Sequence, residues 1–106
     1  MVWFLLVVAG LLETAMAIAL KASGGFSRLA PSALFLVFGG ASFWLLSVAL
    51  RSLPVGTAYA VWTGIGAAGT ALAGIVFLGE PATALRLGCI ALIIAAVIGL
   101  RFAGGH

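Results

Sequence analysis

Four apolar runs, each long enough to cross a lipid bilayer, constrain this 106-residue chain more than any other feature. A spanning α-helix needs about 20 mainly apolar residues. The runs extend from Val2 to Leu20 (closed by Lys21), from Ser32 to Leu50 (closed by Arg51), from Val55 to Leu78, and from Leu85 to Leu100. Between them stand turn signals: Ser23-Gly24-Gly25, Ser52-Leu53-Pro54 and Gly79-Glu80-Pro81. Pro31 and Pro54 fall near the first turn of the following helix, where a missing N–H is tolerated. The connections are too short to hold a second domain. Residues 1–106 therefore read as one all-α membrane domain of four transmembrane helices, with spans at about 2–20, 32–50, 55–78 and 85–100. Composition agrees, because 65% of residues are hydrophobic and only 7% charged. A soluble domain carries about 25% charged residues, and one this small must show water much of its surface.

The same composition excludes most chemistry. With one His, one Cys and no Asp, Asn or Gln, the chain cannot assemble a metal-ligand cluster, a catalytic triad or a disulfide framework. No enzyme activity, metal or cofactor is expected. The net charge of +3 does not point to nucleic acid, since the cations punctuate apolar runs as membrane flanks do. Ala15-Met16-Ala17 has the small-x-small pattern of a signal-peptide cleavage site. No basic segment precedes it and Glu13 interrupts the apolar run, so it reads as part of a retained span. If the helices alternate direction, Lys21, Arg28 and Arg86 lie on one side and Arg51 and Arg101 on the other, three against two. Orientation follows the Lys/Arg difference between sides. With so small a difference, insertion in both directions is expected.

Glu13 is the residue that most suggests a function. At 1.5 Å per residue it lies roughly 16 Å into the first span, near the middle of a ~30 Å core. An ionisable group at that depth is costly and usually marks an ion or proton pathway; the alternative is a structural carboxyl hydrogen-bonded between helices. Gly10 and Ala17, one turn to either side, leave room beside it. Ser42 on the second span falls at about the same depth, with Trp62 on the third one to two turns from the midplane and Tyr59 one turn shallower on the same face; they offer a hydroxyl, an indole N–H and a phenol to orient a carboxylate. Trp62 is too deep for an interfacial anchor. Phe43 and Trp44 read as packing or lipid-facing.

Gly64 and Gly66 weaken the third helix at its middle, which allows a hinge; close helix packing is the other reading. On the fourth span, Ala91, Ala95 and Gly99 form a small-residue stripe suited to a dimer contact. Arg86 and Arg101 read as interfacial anchors, Glu80 as a solvated loop carboxylate, Cys89 as a packing residue and His106 as a disordered terminus. Four short helices with one acidic residue at depth enclose little, so an oligomer is expected. In an antiparallel homodimer, inversion about the midplane brings two Glu13 side chains together.

These residues are similar to those of the small multidrug resistance transporters along nearly the whole chain. The matching pieces are Gly10-Leu11-Leu12-Glu13, the turn from Gly25 to Ser32, Ala41-Ser42-Phe43-Trp44-Leu45-Leu46, and the stretch from Leu53 to Ala67. The resemblance implies a dual-topology antiparallel homodimer, multi-pass in the cell inner membrane, that exports a cation in exchange for protons. It implies that proton and substrate compete for Glu13, with Ser42, Tyr59, Trp62 and Gly10 lining the site. Thr63 and Gly39 look like the guanidinium-exporter branch, whereas Met16 replaces a Trp common there. Guanidinium is thus the expected cation, with a quaternary ammonium or multidrug cation as the alternative. A proton-carrying ring subunit is a reading from another class; such subunits are usually helical hairpins, and four spans count against it.

Overall fold

A computed structural model describes residues 2–103, so the expectation for His106 lies outside the described residues. The chain forms α1 (Val2–Ala22), α2 (Leu29–Ala49), α3 (Val55–Phe77) and α4 (Ala84–Phe102), each long and apolar enough to cross a membrane. No strand occurs among the described residues. Each helix falls on one of the apolar runs, and the largest displacement of a boundary is at α2, which begins at Leu29 rather than Ser32.

The α1–α2 turn explains that displacement. Gly24, Gly25 and Phe26 all take positive φ, at 56°, 72° and 68°. This tight left-handed turn reverses the chain within a few residues. Buried Ser23 ties it together: its hydroxyl donates to the Leu20 carbonyl at 2.7 Å and accepts from the Phe26 N–H at 3.1 Å. The Ser23 carbonyl accepts the N–H groups of Ser27 and Arg28. Helical geometry therefore resumes early, and Pro31 falls third in α2, still within the turn that needs no donor.

α1 packs along both α2 and α3, while α4 lies along α3. The buried positions of these seams are mostly small, among them Ala9, Gly10, Gly39, Ala49, Ala58 and Gly66. The large apolar side chains instead face outward, as at Leu36, Trp44, Val76 and Leu92. In lipid this distribution is favourable, because tails are as apolar as leucine and close backbone approach is what draws helices together. Ile90 is the one buried residue described on α4. Ala91, Ala95 and Gly99 are exposed, and a Cβ on Gly99 would meet nothing within 4 Å. Cys89 is exposed too, not packed as its residue type suggested.

Candidate functional site

The α1–α3 seam is built from three successive close approaches. A Cβ on Gly10 would come within 2.5 Å of Ile65 Cγ2, a Cβ on Gly66 would overlap the Glu13 carboxylate, and one on Gly69 would overlap Thr14 Oγ1. Thr14 donates to the Gly66 carbonyl at 3.2 Å and to the Gly10 carbonyl at 3.3 Å, so one hydroxyl bridges the helices. Gly10 therefore gives room to Ile65, not to open space beside the carboxylate. α3 is helical without interruption through Gly64 and Gly66. At Gly64 a Cβ would come 2.7 Å from Val97 Cγ2 of α4, so both glycines sit at helix contacts.

Glu13 Oε1 is buried and has no hydrogen-bond partner among the described residues. The carboxylate lines a cavity of about 420 Å³ between α1 and α3. Glu13, Ala17 and Lys21 form the α1 wall, spaced four apart on one helical face. Thr63, Gly66 and Thr70 line the α3 wall, and Leu78 and Glu80 stand at its loop end. Met16 also lines the cavity and touches α2, where a Cβ on Gly39 would approach its sulfur to 3.0 Å. Met16 and Gly39, two of the three positions that bear on the choice of branch, are thus neighbours.

Ser42, Tyr59 and Trp62 gather in a second cluster, away from the walls of that cavity. Ser42 is fully buried and donates to the Ala9 carbonyl at 2.7 Å; the Trp62 indole N–H donates to Ser42 Oγ at 2.9 Å. The Trp62 ring packs on Phe43 and Tyr59 at centroid distances of 5.1 and 5.3 Å. Trp62 is 4% exposed, which rules out interfacial anchoring. Among the described residues no hydrogen bond joins this cluster to Glu13; in this conformation Trp62 donates to Ser42, and Ser42 alone donates to α1 backbone. The link to Glu13 runs through that backbone. In an α-helix the Ala9 carbonyl is the one to which the Glu13 N–H points, one turn on.

Two further residues differ from the sequence reading. Glu80 is not a free loop carboxylate and Arg86 is not a free anchor: Arg86 Nη2 donates to Glu80 Oε1 at 2.9 Å. Nothing about either residue alone signals the pairing. Their spacing across Pro81 and the start of α4 is the available cue. Arg101 does sit at the end of α4, over the Trp3 ring at 5.6 Å.

A profile described as Small Multidrug Resistance protein matches residues 1–93 of this chain. The chain belongs to the small multidrug resistance family. Relatives carry the match nearly end to end. The "Guanidinium exporter" of Yersinia pseudotuberculosis is 59% identical over 103 residues, covering 97% of this chain and 99% of that protein. The protein of that name from Escherichia coli K12 is 55% identical, covering 95% and 96%. Another from Salmonella typhimurium is 52% identical over the same shares. As a member of this family, with four bilayer-length helices, the chain is a multi-pass membrane protein.

Proposed function

We propose that this chain exports guanidinium ion across the inner membrane in exchange for protons, with Glu13 holding proton and cation in turn. The observation that carries the reading is the buried, unpartnered carboxylate oxygen of Glu13 beside a cavity of about 420 Å³. A buried ionised oxygen without a partner is unfavourable, so the site favours a bound proton or a bound cation over an empty anion. Guanidinium is planar and rich in N–H donors, and a carboxylate holds it in a forked pair. The name shared by relatives 52–59% identical supports that choice of cation. One carboxylate cannot hold proton and cation together, and this competition couples their movements.

The working unit is an antiparallel homodimer in which both orientations of the chain take part. Two helices of one chain wall the cavity, so a second copy completes it. The exposed Ala91, Ala95 and Gly99 stripe is the dimer contact. The two Glu13 side chains share the midplane, with Ser42, Tyr59 and Trp62 setting the α1 backbone that carries them. Gly64 and Gly66 let α3 bend between access states.

The test is coupled flux in proteoliposomes. An outward-directed guanidinium gradient is expected to drive protons inward with the wild-type protein. Glu13→Gln is expected to insert and dimerise yet move neither ion. Coupled transport retained in Glu13→Gln would overturn the mechanism. Equal flux of a bulky quaternary ammonium would overturn the choice of guanidinium.

A further inference from the structure

The loop between α3 and α4 places a second carboxylate on the Glu13 cavity. Gly79, at φ 70°, turns the chain back so that the Glu80 N–H reaches the Gly74 carbonyl at 3.1 Å. The Glu80 carboxylate then lies against α3 at Gly74, where a Cβ would overlap it. Glu80 lines the same cavity as Glu13, at the end where Lys21 closes the α1 wall. By helix rise Lys21 is roughly 12 Å along α1 from Glu13, so Glu80 stands at the mouth.

Its partner is a guanidinium, the chemical group that the proposed reading sends through this cavity. Arg86 follows the Thr83 N-cap, whose side chain accepts the Arg86 N–H at 3.2 Å, so it sits in the first turn of α4. A cation at a helix N-terminus is disfavoured by the helix dipole. The contact is one hydrogen bond, from Nη2 to Oε1, and not the forked pair that a guanidinium makes at its best. Arg86 Nε is buried and has no acceptor. Both side chains are 41% exposed. Exposed ion pairs of this kind hold weakly and exchange readily.

We infer that Glu80 is a peripheral capture site for the transported cation, occupied at rest by Arg86 as a tethered guanidinium that the free ion displaces. The inference rests on the guanidinium reading. A free guanidinium forks across both Glu80 oxygens, which Arg86 in this position does not. While Arg86 is paired, Glu80 is neutralised and Lys21 disfavours a cation at the mouth. When Arg86 is displaced, the carboxylate passes the ion toward Glu13.

The experiment is guanidinium transport by full-length protein in proteoliposomes, read as KM and maximal rate. Glu80→Gln is expected to raise KM about threefold and Arg86→Ala to lower it by about the same factor, on the scale of an exposed charge pair. Both effects fall on KM more than on maximal rate. Were the pair only a loop brace, the two substitutions would act in the same direction. A shared direction, or no change in KM, therefore overturns the inference. If Arg86→Ala does not accumulate in membranes, Arg86→Gln keeps a side-chain N–H donor beside Glu80 without the charge, and KM is again expected to fall. Equilibrium binding of labelled guanidinium gives a separate readout. Weak binding is expected to persist in Glu13→Gln and to vanish in Glu13→Gln/Glu80→Gln; no difference between them overturns the inference. Coupled wild-type transport with an unmoved KM overturns this inference alone, whereas a wild-type protein that moves no guanidinium overturns it together with the proposed function.

Discussion

Glu13 and Gly66 form a pair in which one side chain depends on the absence of the other. A methyl group at position 66 would overlap the carboxylate, so the Glu13 side chain would have to move. Overpacking of this kind typically costs about 1–3 kcal/mol. Gly66→Ala is thus expected to displace Glu13 and weaken guanidinium binding at least about tenfold, measured by calorimetry. Affinity within twofold of wild type would show that the close approach does not matter. The same carboxylate sets the pH dependence. Protonation removes the anion that holds the cation, so guanidinium binding is expected to weaken as pH falls and to release protons. Calorimetry in two buffers of different ionisation enthalpy reads the protons directly. Binding that is independent of pH and releases none would leave Glu13 a structural carboxyl. The sequence alone singles out Glu13 as a candidate, because a lone carboxylate in the middle of an apolar run is costly. That Gly66 makes its seat was not legible there, since a mid-helix glycine serves a bend and a contact equally well.

Between elements, the junction of α1, α2 and α3 hangs on Ser42. It accepts the Trp62 indole N–H and donates to the Ala9 carbonyl. Ser42→Ala leaves that indole N–H buried without an acceptor, which costs about 1–3 kcal/mol. A lower midpoint of thermal unfolding in detergent is expected, with a change in Trp62 fluorescence as its partner is lost. An unchanged midpoint would mean that Trp62 finds another acceptor. The structure joins Ser42, Tyr59 and Trp62 to one another, whereas depth along the helices suggests only that each could reach Glu13. Depth does not say what each hydroxyl or N–H bonds to, because rotation about the helix axis and the distance between axes are set by the seams of small residues. The spans were legible for a simpler reason: lipid demands about 20 apolar residues per helix and tolerates no unpaired backbone.

For the molecule as a whole, charge decides orientation. Three basic residues against two leave either direction open. A tag at the C-terminus is expected to be accessible from both faces of the membrane. One orientation above about nine in ten would refute dual topology for this chain acting alone. Two Lys added to the loop that holds Arg51 are expected to fix the orientation and reduce transport, since antiparallel pairs then lack one member. Co-expression with a variant carrying the opposite bias is expected to restore it. The exposed stripe on α4 belongs to the same scale, because its small residues serve packing only when a second chain is present.

The sequence by itself determined the solvent, the number and extent of the helices, and the depth of the acidic residue within the first span. Each of these follows from transfer free energy and helix rise, which act on segments and single side chains and need no neighbour to be known. The tertiary structure decided which partners those side chains meet. It gave Gly10 to Ile65 and Gly66 to Glu13, committed Trp62 to Ser42 and Ser42 to the α1 backbone, and joined Glu80 to Arg86 at the cavity mouth. These contacts depend on axial rotation and on sub-ångström differences in helix separation. In lipid, where the solvent is as apolar as the side chains, close packing and the few polar bonds between helices fix both, and apolar periodicity does not.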